Sequence, residues 1–543
     1  MAKSATALPL LGICLDRLSP NPLYLQLYEQ IRQAIITGQL PAGRRLPSTR
    51  ELAASLEVSR NTVTAAFEQL LAEGYLESKV GAGDRVSYQK SSPGSPAQGK
   101  SVAQTSVNSS PNHIQFHHSN SIFNHSSFVS PHAHLSAQAL SMMALPEQAL
   151  WHSPEPPRAF HPHLPALDAF PRDLWCRLMG KQGRSPSSHL LNYGDPCGYA
   201  PLRQQIAEYL KTTRSVHCEP EQVIVVSGSQ QALYLTAKLL LNPGDAVWME
   251  DPGCFNARYI LQQSGATLIP VPVDQQGLNI ELAQQKNPEA RLAYITPSHQ
   301  FPMGYSLSLE RRQSLLQWAA QSGAWIIEQD SDSAYRYTGQ SLPALQGCDP
   351  QRVIYMGSFS KVLFPALRLG YVVVPAELVE VFAIARTLID RHSPPLEQAT
   401  LADFMAAGYF TRHLRRMKVL YAERQAALMA ATQSLADVMT VERSPAGTHL
   451  IAWLQPHIDD RTVSLQAAQR GIIAHPLSAY RLQPPPSDAP SALLLGYAAI
   501  PTAEMQRAVQ DLGDVIRTVQ PTKRQPSESS YSRFSSSWLP TAS

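Results

Sequence analysis

At 543 residues the chain exceeds what one core ordinarily organises, about 100–200 residues, so at least two folded units are expected. Its 44% hydrophobic and 16% charged residues exclude a chain that is disordered throughout or built of membrane spans, and a net charge of +3 is too small to argue nucleic-acid binding from the whole molecule. The six cysteines contain no C-x-x-C pair, which suggests neither a zinc site nor a disulfide framework.

The apolar stretch Ala5–Cys14 is interrupted by Pro9 and followed by Asp16, unlike a secretory leader, and other apolar runs are far short of the roughly 20 residues that span a bilayer. A cytoplasmic protein without a membrane partner is expected. Next, Leu23, Leu27, Ile31 and Ile35 fall at helical spacing over Leu23–Thr37, and Gly38 ends that helix. In LPSTRELAASLEVSRNTVTAAFEQLLAEGYLES, Ser48 with Glu51 forms a capping box for a short helix, with Leu52, Ala53 and Leu56 inward. A turn at Glu57–Val58 leads to a second cap, Ser59, and a helix from Arg60 to about Glu73 that buries Val63, Phe67, Leu70 and Leu71. This is a helix-turn-helix, and the exposed residues opening its second helix suit groove reading. Gly74–Ser78 and Val80–Val86 predict a hairpin wing, with Gly81 and Gly83 permitting the tight tip.

The order and register of LPSTRELA, V-S-R-N-T-V and L-x-x-E-G-Y-L resemble the GntR family of bacterial regulators over Pro22–Val86. The resemblance implies that Arg50, Ser59, Arg60, Asn61, Thr62, Thr64, Lys79 and Gly81 touch a double-stranded DNA operator. One departure is Asp84-Arg85, where the family wing carries Thr-Tyr; an acid beside phosphate weakens wing contacts.

From Gln89 to about Pro157 the sequence turns rich in Ser, His, Asn and Pro, which predicts a tether with a helical possibility near Leu135–Leu150. Nine of the 17 histidines lie between His113 and His163. Their irregular spacing, without acidic or thiolate companions, argues against a metal site. The expected organisation is a DNA-binding domain over 15–90, a linker over 91–157, an α/β domain over 158–518 and a disordered tail over 519–543.

In the large region, Val223–Val226, Ala246–Met249, Thr267–Val271, Leu292–Ile295, Trp325–Ile327, Val353–Met356 and Leu369–Val374 alternate with helical stretches, predicting a largely parallel sheet. In VIYMGSFSKVLFPALRLGYVV, Lys361 near hydroxyls and an arginine suits a Schiff base with an aldehyde, with Ser358, Ser360 and Arg368 around its phosphate. A second anion site is expected where VIVVSGSQQALYL runs from a strand through Ser227-Gly228 into a helix, at Ser229 and Gln230.

Together with NYGDPCGYAPLR, MEDPG, TPSHQFPMG and SLPALQG, these segments resemble fold-type I aminotransferases dependent on pyridoxal 5'-phosphate (PLP) across Arg158–Thr518. The combination with the GntR-like head is similar to the MocR/GabR regulators. That resemblance implies a winged helix-turn-helix followed by an α/β aminotransferase-like domain with a smaller C-terminal α+β part. It also implies PLP on Lys361, a head-to-tail homodimer, and an effector that is a small amine or a B6 form.

Three positions depart from the enzyme pattern. The subfamily's E-D-D-Y-D-S becomes Glu328-Gln329-Asp330-Ser331-Asp332-Ser333, so Gln329 and Ser331 stand where an acid beneath the ring nitrogen and a tyrosine are expected. Asp330 is the nearest replacement, although alternation on a strand turns neighbours to opposite faces. Cys254 occupies the ring-stacking position, with Phe255 one residue late, and the strand around Leu494 lacks the arginine that clamps a substrate carboxylate. These departures count against transamination more than against PLP binding. A working aminotransferase, and a regulator whose large domain is a cofactor-free scaffold, are the alternatives.

Overall fold

A computed structural model of the chain describes residues 13, 15–17, 19, 21–79, 83–87, 135–143, 145, 157–184, 186–330, 332–339, 342–484 and 489–519. Two compact units divide it, residues 1–120 and 121–543. Most of the expected linker, the tail from 520, Gly81 and Ser331 lie outside the described residues.

In the first unit, α1 (Leu23–Ile36), α2 (Thr49–Ser55) and α3 (Arg60–Ala72) precede an antiparallel hairpin of β1 (Leu76–Lys79) and β2 (Gly83–Val86). Leu27, Ile31, Leu52, Val63, Phe67, Leu70 and Val86 share one core, whereas Leu23 and Leu71 are only half-buried. The capping box forms as the sequence predicts: Ser48 Oγ accepts from Glu51 N, and Glu51 Oε2 accepts from Ser48 N. Ser59 Oγ likewise accepts from Thr62 N at 3.1 Å, which fixes the entry of α3. Glu57, in the turn between the two helices, takes a positive φ of 52°.

The second unit holds an eight-stranded sheet built from β3 (Val223–Val226), β4 (Ala246–Asp251), β5 (Thr267–Asp274), β6 (Gly277–Leu278), β7 (Leu292–Ile295), β8 (Trp325–Asp330), β9 (Val353–Ser358) and β10 (Gly370–Val373). The spatial order is β3-β10-β9-β8-β7-β4-β5-β6. Neighbours from β9 through β5 run parallel, but β10 runs antiparallel to both β3 and β9. Each expected strand is present, several extended by two or three residues. The continuous burial of β3, β7, β8 and β10 follows from packing on both faces of the sheet. A second sheet, ordered β11 (Met439–Val441), β12 (His449–Leu454), β14 (Ala492–Gly496), β13 (His475–Pro476), forms the smaller C-terminal part. Of the expected linker helix, Ala137–Met143 is helical, and Gln138 Nε2 donates to the Gln263 carbonyl at 3.1 Å.

Strand β8 carries an ionisable residue into this interior. Glu328 is fully buried; its Oε2 accepts from Gln346 N, while Oε1 has no hydrogen-bond partner. Burial, with the Asp330 carboxylate adding to it, pushes the Glu328 carboxyl up to about 7. A raised carboxyl contributes stability that is complete below its unfolded value and lost as pH rises through the folded one. Glu328→Gln is therefore expected to shrink the loss of unfolding free energy between pH 5 and pH 8 by on the order of 2–3 kcal/mol, read from urea melts at the two pH values. An unchanged pH dependence would show that Glu328 does not titrate in this window.

Candidate functional site

The head presents its polar residues at the exposed starts of α2 and α3. Arg50, Ser59, Arg60 and Asn61 are exposed, and Thr62 and Thr64 half-buried. Arg60 Nε reaches Thr49 Oγ1 at 3.4 Å, tying the first turn of α3 to α2, and Ser59 and Thr62 share a 2.8 Å hydroxyl contact. These side chains surround free N–H groups at a helix N-terminus, where phosphate binds well. Lys79 closes β1 opposite Gly83. The sequence reading passed over Arg44 and Arg45, exposed in the loop before α2, where Arg45 bridges Arg85 of β2. The adjacent pair of arginines ahead of LPSTRELA was the available signal. Arg85 itself is engaged, donating from Nη1 to the Gly43 carbonyl at 3.2 Å.

In the large unit the two expected anion-binding segments meet. Strand β3 turns at Gly228, with φ 102°, into the helix Ser229–Leu240. Arg368, in a left-handed conformation at φ 48°, donates from Nη2 to the Ser227 carbonyl at 2.7 Å. A Cβ on Gly228 would lie 3.4 Å from that guanidinium, and a Cβ on Gly370 would lie 2.9 Å from Gly228 Cα. That close backbone approach requires glycine at 370, and the positive φ favours it at 228. It sets the start of the helix, with Ser229 and Gln230, beside Arg368 and beside Ser358, which pairs with Gly370 across β9 and β10. Ser360 N donates to Ser358 Oγ at 3.2 Å, while Ser360 Oγ is buried without a hydrogen-bond partner.

Lys361 follows directly, its side chain 19% exposed, with Nζ 3.5 Å from Asp332 Oδ2 and 5.8 Å from the centre of the Phe301 ring. Asp332 is buried and its Oδ1 has no hydrogen-bond partner. Burial alone would push this carboxyl up, but the nearby Lys361 ammonium outweighs it and holds the carboxyl below the ordinary value. Asp332 is the residue that sequence reasoning missed. Strand β8 ends at Asp330, so alternation no longer predicts the direction of residues beyond it.

Asp330 is not brought to Lys361. Its carboxylate accepts from Arg214 Nε at 2.8 Å, Tyr355 OH at 2.6 Å and Ser333 N at 3.2 Å. Asp330, expected from sequence beside the cofactor, is thus engaged elsewhere, and pleating is the reason: its side chain projects with Tyr355 to one face of the sheet. Gln329 projects to the other face, with Ile327 and the layer containing the helix Ser229–Leu240. Phe255 opens the helix Phe255–Gln263 and packs 5.1 Å from the Tyr480 ring, in an apolar cluster with Phe301 and Leu494. Cys254 precedes it, its thiol pushed up by burial while the Lys361 charge opposes this. His161 and His163, counted from sequence only among histidines without a metal role, close on the same region: His163 lies 4.3 Å from Phe301 and 6.2 Å from His449 between ring centres. Among the described residues no group of three or more His, Cys, Asp or Glu is arranged to hold a metal ion.

A helix-turn-helix head and a strand-end lysine beside an anion cradle in an α/β domain define a one-chain fusion of a DNA-binding module with an aminotransferase-like fold. Residues 23–86 match the model of bacterial regulatory proteins of the gntR family, and residues 175–512 match aminotransferase class I and II. The chain is 39% identical over 503 residues to the probable rhizopine catabolism regulatory protein MocR of Rhizobium meliloti, covering 92% of this chain and 95% of that one. It is 30% identical to the pyridoxine biosynthesis transcriptional regulator PdxR of Corynebacterium glutamicum, covering 87% and 91%. Among solved structures, the α-aminoadipate aminotransferase LysN of Thermus thermophilus superposes with a TM-score of 0.61 at 26% identity, over 66% of this chain and 91% of that one. The multiple substrate aminotransferase of Thermococcus profundus superposes with a TM-score of 0.61 at 25% identity, over 73% and 98%. The chain belongs to the GntR/MocR family of regulators that carry a fused fold-type I aminotransferase-like domain. No helix among the described residues is long and apolar enough to cross a membrane.

Proposed function

We propose that this protein is a DNA-binding transcription regulator whose large domain holds PLP on Lys361 and senses a small amine or a B6-related compound. The observation that carries this reading is the convergence of Lys361, Ser358, Ser360, Arg368 and the start of the helix Ser229–Leu240, brought about by the Gly228–Gly370 contact. These residues fit the group. The helix N-terminus, the two serines and the guanidinium would hold a phosphate, and the unpartnered Ser360 Oγ is a donor that such a ligand satisfies. When bound, PLP supplies an aldehyde that combines reversibly with amines. Asp332 keeps the Lys361 nitrogen paired, and Gln329 offers a neutral amide where a ring-protonating acid is needed for electron-sink chemistry. This favours ligand sensing over turnover.

Dimerisation accords with an exposed apolar face. On the helix Val379–Ile389, Ile384 is 54% and Leu388 81% exposed, and the neighbouring loop adds Tyr193, whose ring lies 4.6 Å from the Arg391 guanidinium. A head-to-tail homodimer would bury that face and supply two helix-turn-helix units for paired half-sites.

The experiment is an absorption spectrum of the purified protein with added PLP, followed by borohydride reduction, beside Lys361→Ala. A visible band in the wild type alone, fixed covalently by reduction, is expected. A wild-type spectrum identical to that of Lys361→Ala would overturn the cofactor reading, leaving a DNA-binding protein with a scaffold domain.

A further inference from the structure

Three imidazoles and an aromatic ring form the wall beside Lys361. His299 places Nδ1 3.9 Å from Asp332 Oδ2, its ring is 5.8 Å from His449, and Phe301 lies 5.3 Å from His449 and 4.3 Å from His163. The Nδ1 atoms of His163, His299 and His449 are all buried with no hydrogen-bond partner, as is Asp332 Oδ1. His299 and His449 are buried, where an unpaired polar atom is costly. His163 is carried here by a backbone of φ 70°, a conformation that costs free energy and persists where the surroundings enforce it.

The wall offers hydrogen-bonding groups but little positive charge. Strand β14 presents Leu494 in the apolar cluster with Phe301, where aminotransferases present an arginine. Of the nearby candidates to replace it, Arg258 donates to the Arg481 carbonyl and the Tyr259 hydroxyl and leaves only a buried Nε without a hydrogen-bond partner, and the charges of Arg258 and Arg481 act on the Asp251 carboxylate. Arg336 donates to the Ser298 carbonyl and Ser306 Oγ. Asp332 already faces Lys361, so a second carboxylate would meet like charge. Burial, joined by the Lys361 ammonium, keeps the imidazoles below their ordinary value, His299 at about 4, so they face the site uncharged.

We propose that this site selects an amine that carries hydroxyl groups and no carboxylate, its nitrogen drawn by Asp332 and its hydroxyls paired with His163, His299 and His449. The proposal rests on the cofactor reading above and names the ligand class of the same site. A neutral imidazole has one donor and one acceptor, and a hydroxyl answers either, whereas a carboxylate only accepts and brings a charge whose burial is costly without a cation. In the exchange, the ligand nitrogen bonds to the aldehyde carbon as the Lys361 nitrogen leaves it. The two hydrogens of the ligand's neutral amine pass to lysine, and no oxidant or reductant is needed.

The test uses the full chain loaded with PLP and a matched pair of probes, L-serine and serinol (2-amino-1,3-propanediol), which differ by a carboxylate in place of a hydroxymethyl. Displacement of the Lys361-linked absorption band is followed for each. Serinol is expected to act at a concentration at least roughly tenfold lower than L-serine. His449→Leu is expected to keep the band while losing about tenfold in serinol response, with His163→Asn as a second variant should His449→Leu fail to fold. A band present in the wild type but moved no further by serinol than by L-serine overturns this inference alone. So does a variant that keeps the full serinol response. Absence of any lysine-dependent band before amine is added overturns the cofactor reading, and this inference with it.

Discussion

Asp330→Ala is expected to destabilise the large unit by about 3–5 kcal/mol, measured by urea unfolding, because it leaves the buried guanidinium of Arg214 without its counter-ion. The side chains of the pair are 4% and 3% exposed. Burial alone would make the Arg214 charge harder to keep, and the Asp330 carboxylate more than offsets this, raising its affinity for the proton. Two further Arg214 contacts, to Ser298 Oγ at 2.6 Å and to the Leu342 carbonyl, are dipoles and do not replace a charge. Pairing Asp330→Ala with Arg214→Met is expected to recover much of the loss, since removing both charges also removes both desolvation penalties. A structural role leaves the PLP band of folded Asp330→Asn where the wild type has it. A spectral change with no loss of stability would instead make Asp330 a partner of the cofactor ring, contrary to its hydrogen bonds to Arg214 and Tyr355.

Arg60→Ala is expected to weaken binding to a DNA duplex selected from a random pool by the wild-type protein, by about 1–3 kcal/mol per half-site, which a dimer incurs twice. Arg60 opens α3 beside the exposed Asn61, where the second helix of such a unit meets base edges. A guanidinium that reads bases should relax sequence preference when removed. Arg44→Ala, by contrast, is expected to lower affinity evenly across sequences and to flatten the salt dependence, as loss of a phosphate contact does. Fluorescence anisotropy at several salt concentrations separates the two. If Arg60→Ala weakens all duplexes alike and changes the salt slope, Arg60 holds phosphate and the bases are read by its neighbours.

The sequence by itself determined the parts of this protein that rest on local chemistry. Ser48 with Glu51, and Ser59 before Arg60, are caps whose donors and acceptors lie within one turn, so the order of the residues suffices to place α2 and α3. The apolar runs of the large sheet are equally legible, because a strand buried on both faces leaves few alternatives. Lys361, Arg368 and the Ser227–Gln230 turn could be listed from sequence as well. Their meeting could not, since it depends on Gly228 and Gly370 touching across β3 and β10. Tertiary structure also decided the direction of the three acids at β8. Alternation already turns Asp330 away from the face of Gln329, but its meeting with Arg214, and the release of Asp332 beyond the strand end to face Lys361, do not follow from spacing alone. The histidine wall is the most non-local feature: His163, His299 and His449 come from three distant segments, and no sequence period links them. Their side chains converge only because the C-terminal sheet closes over the ends of the parallel strands, where burial makes polar groups scarce and each unsatisfied one consequential.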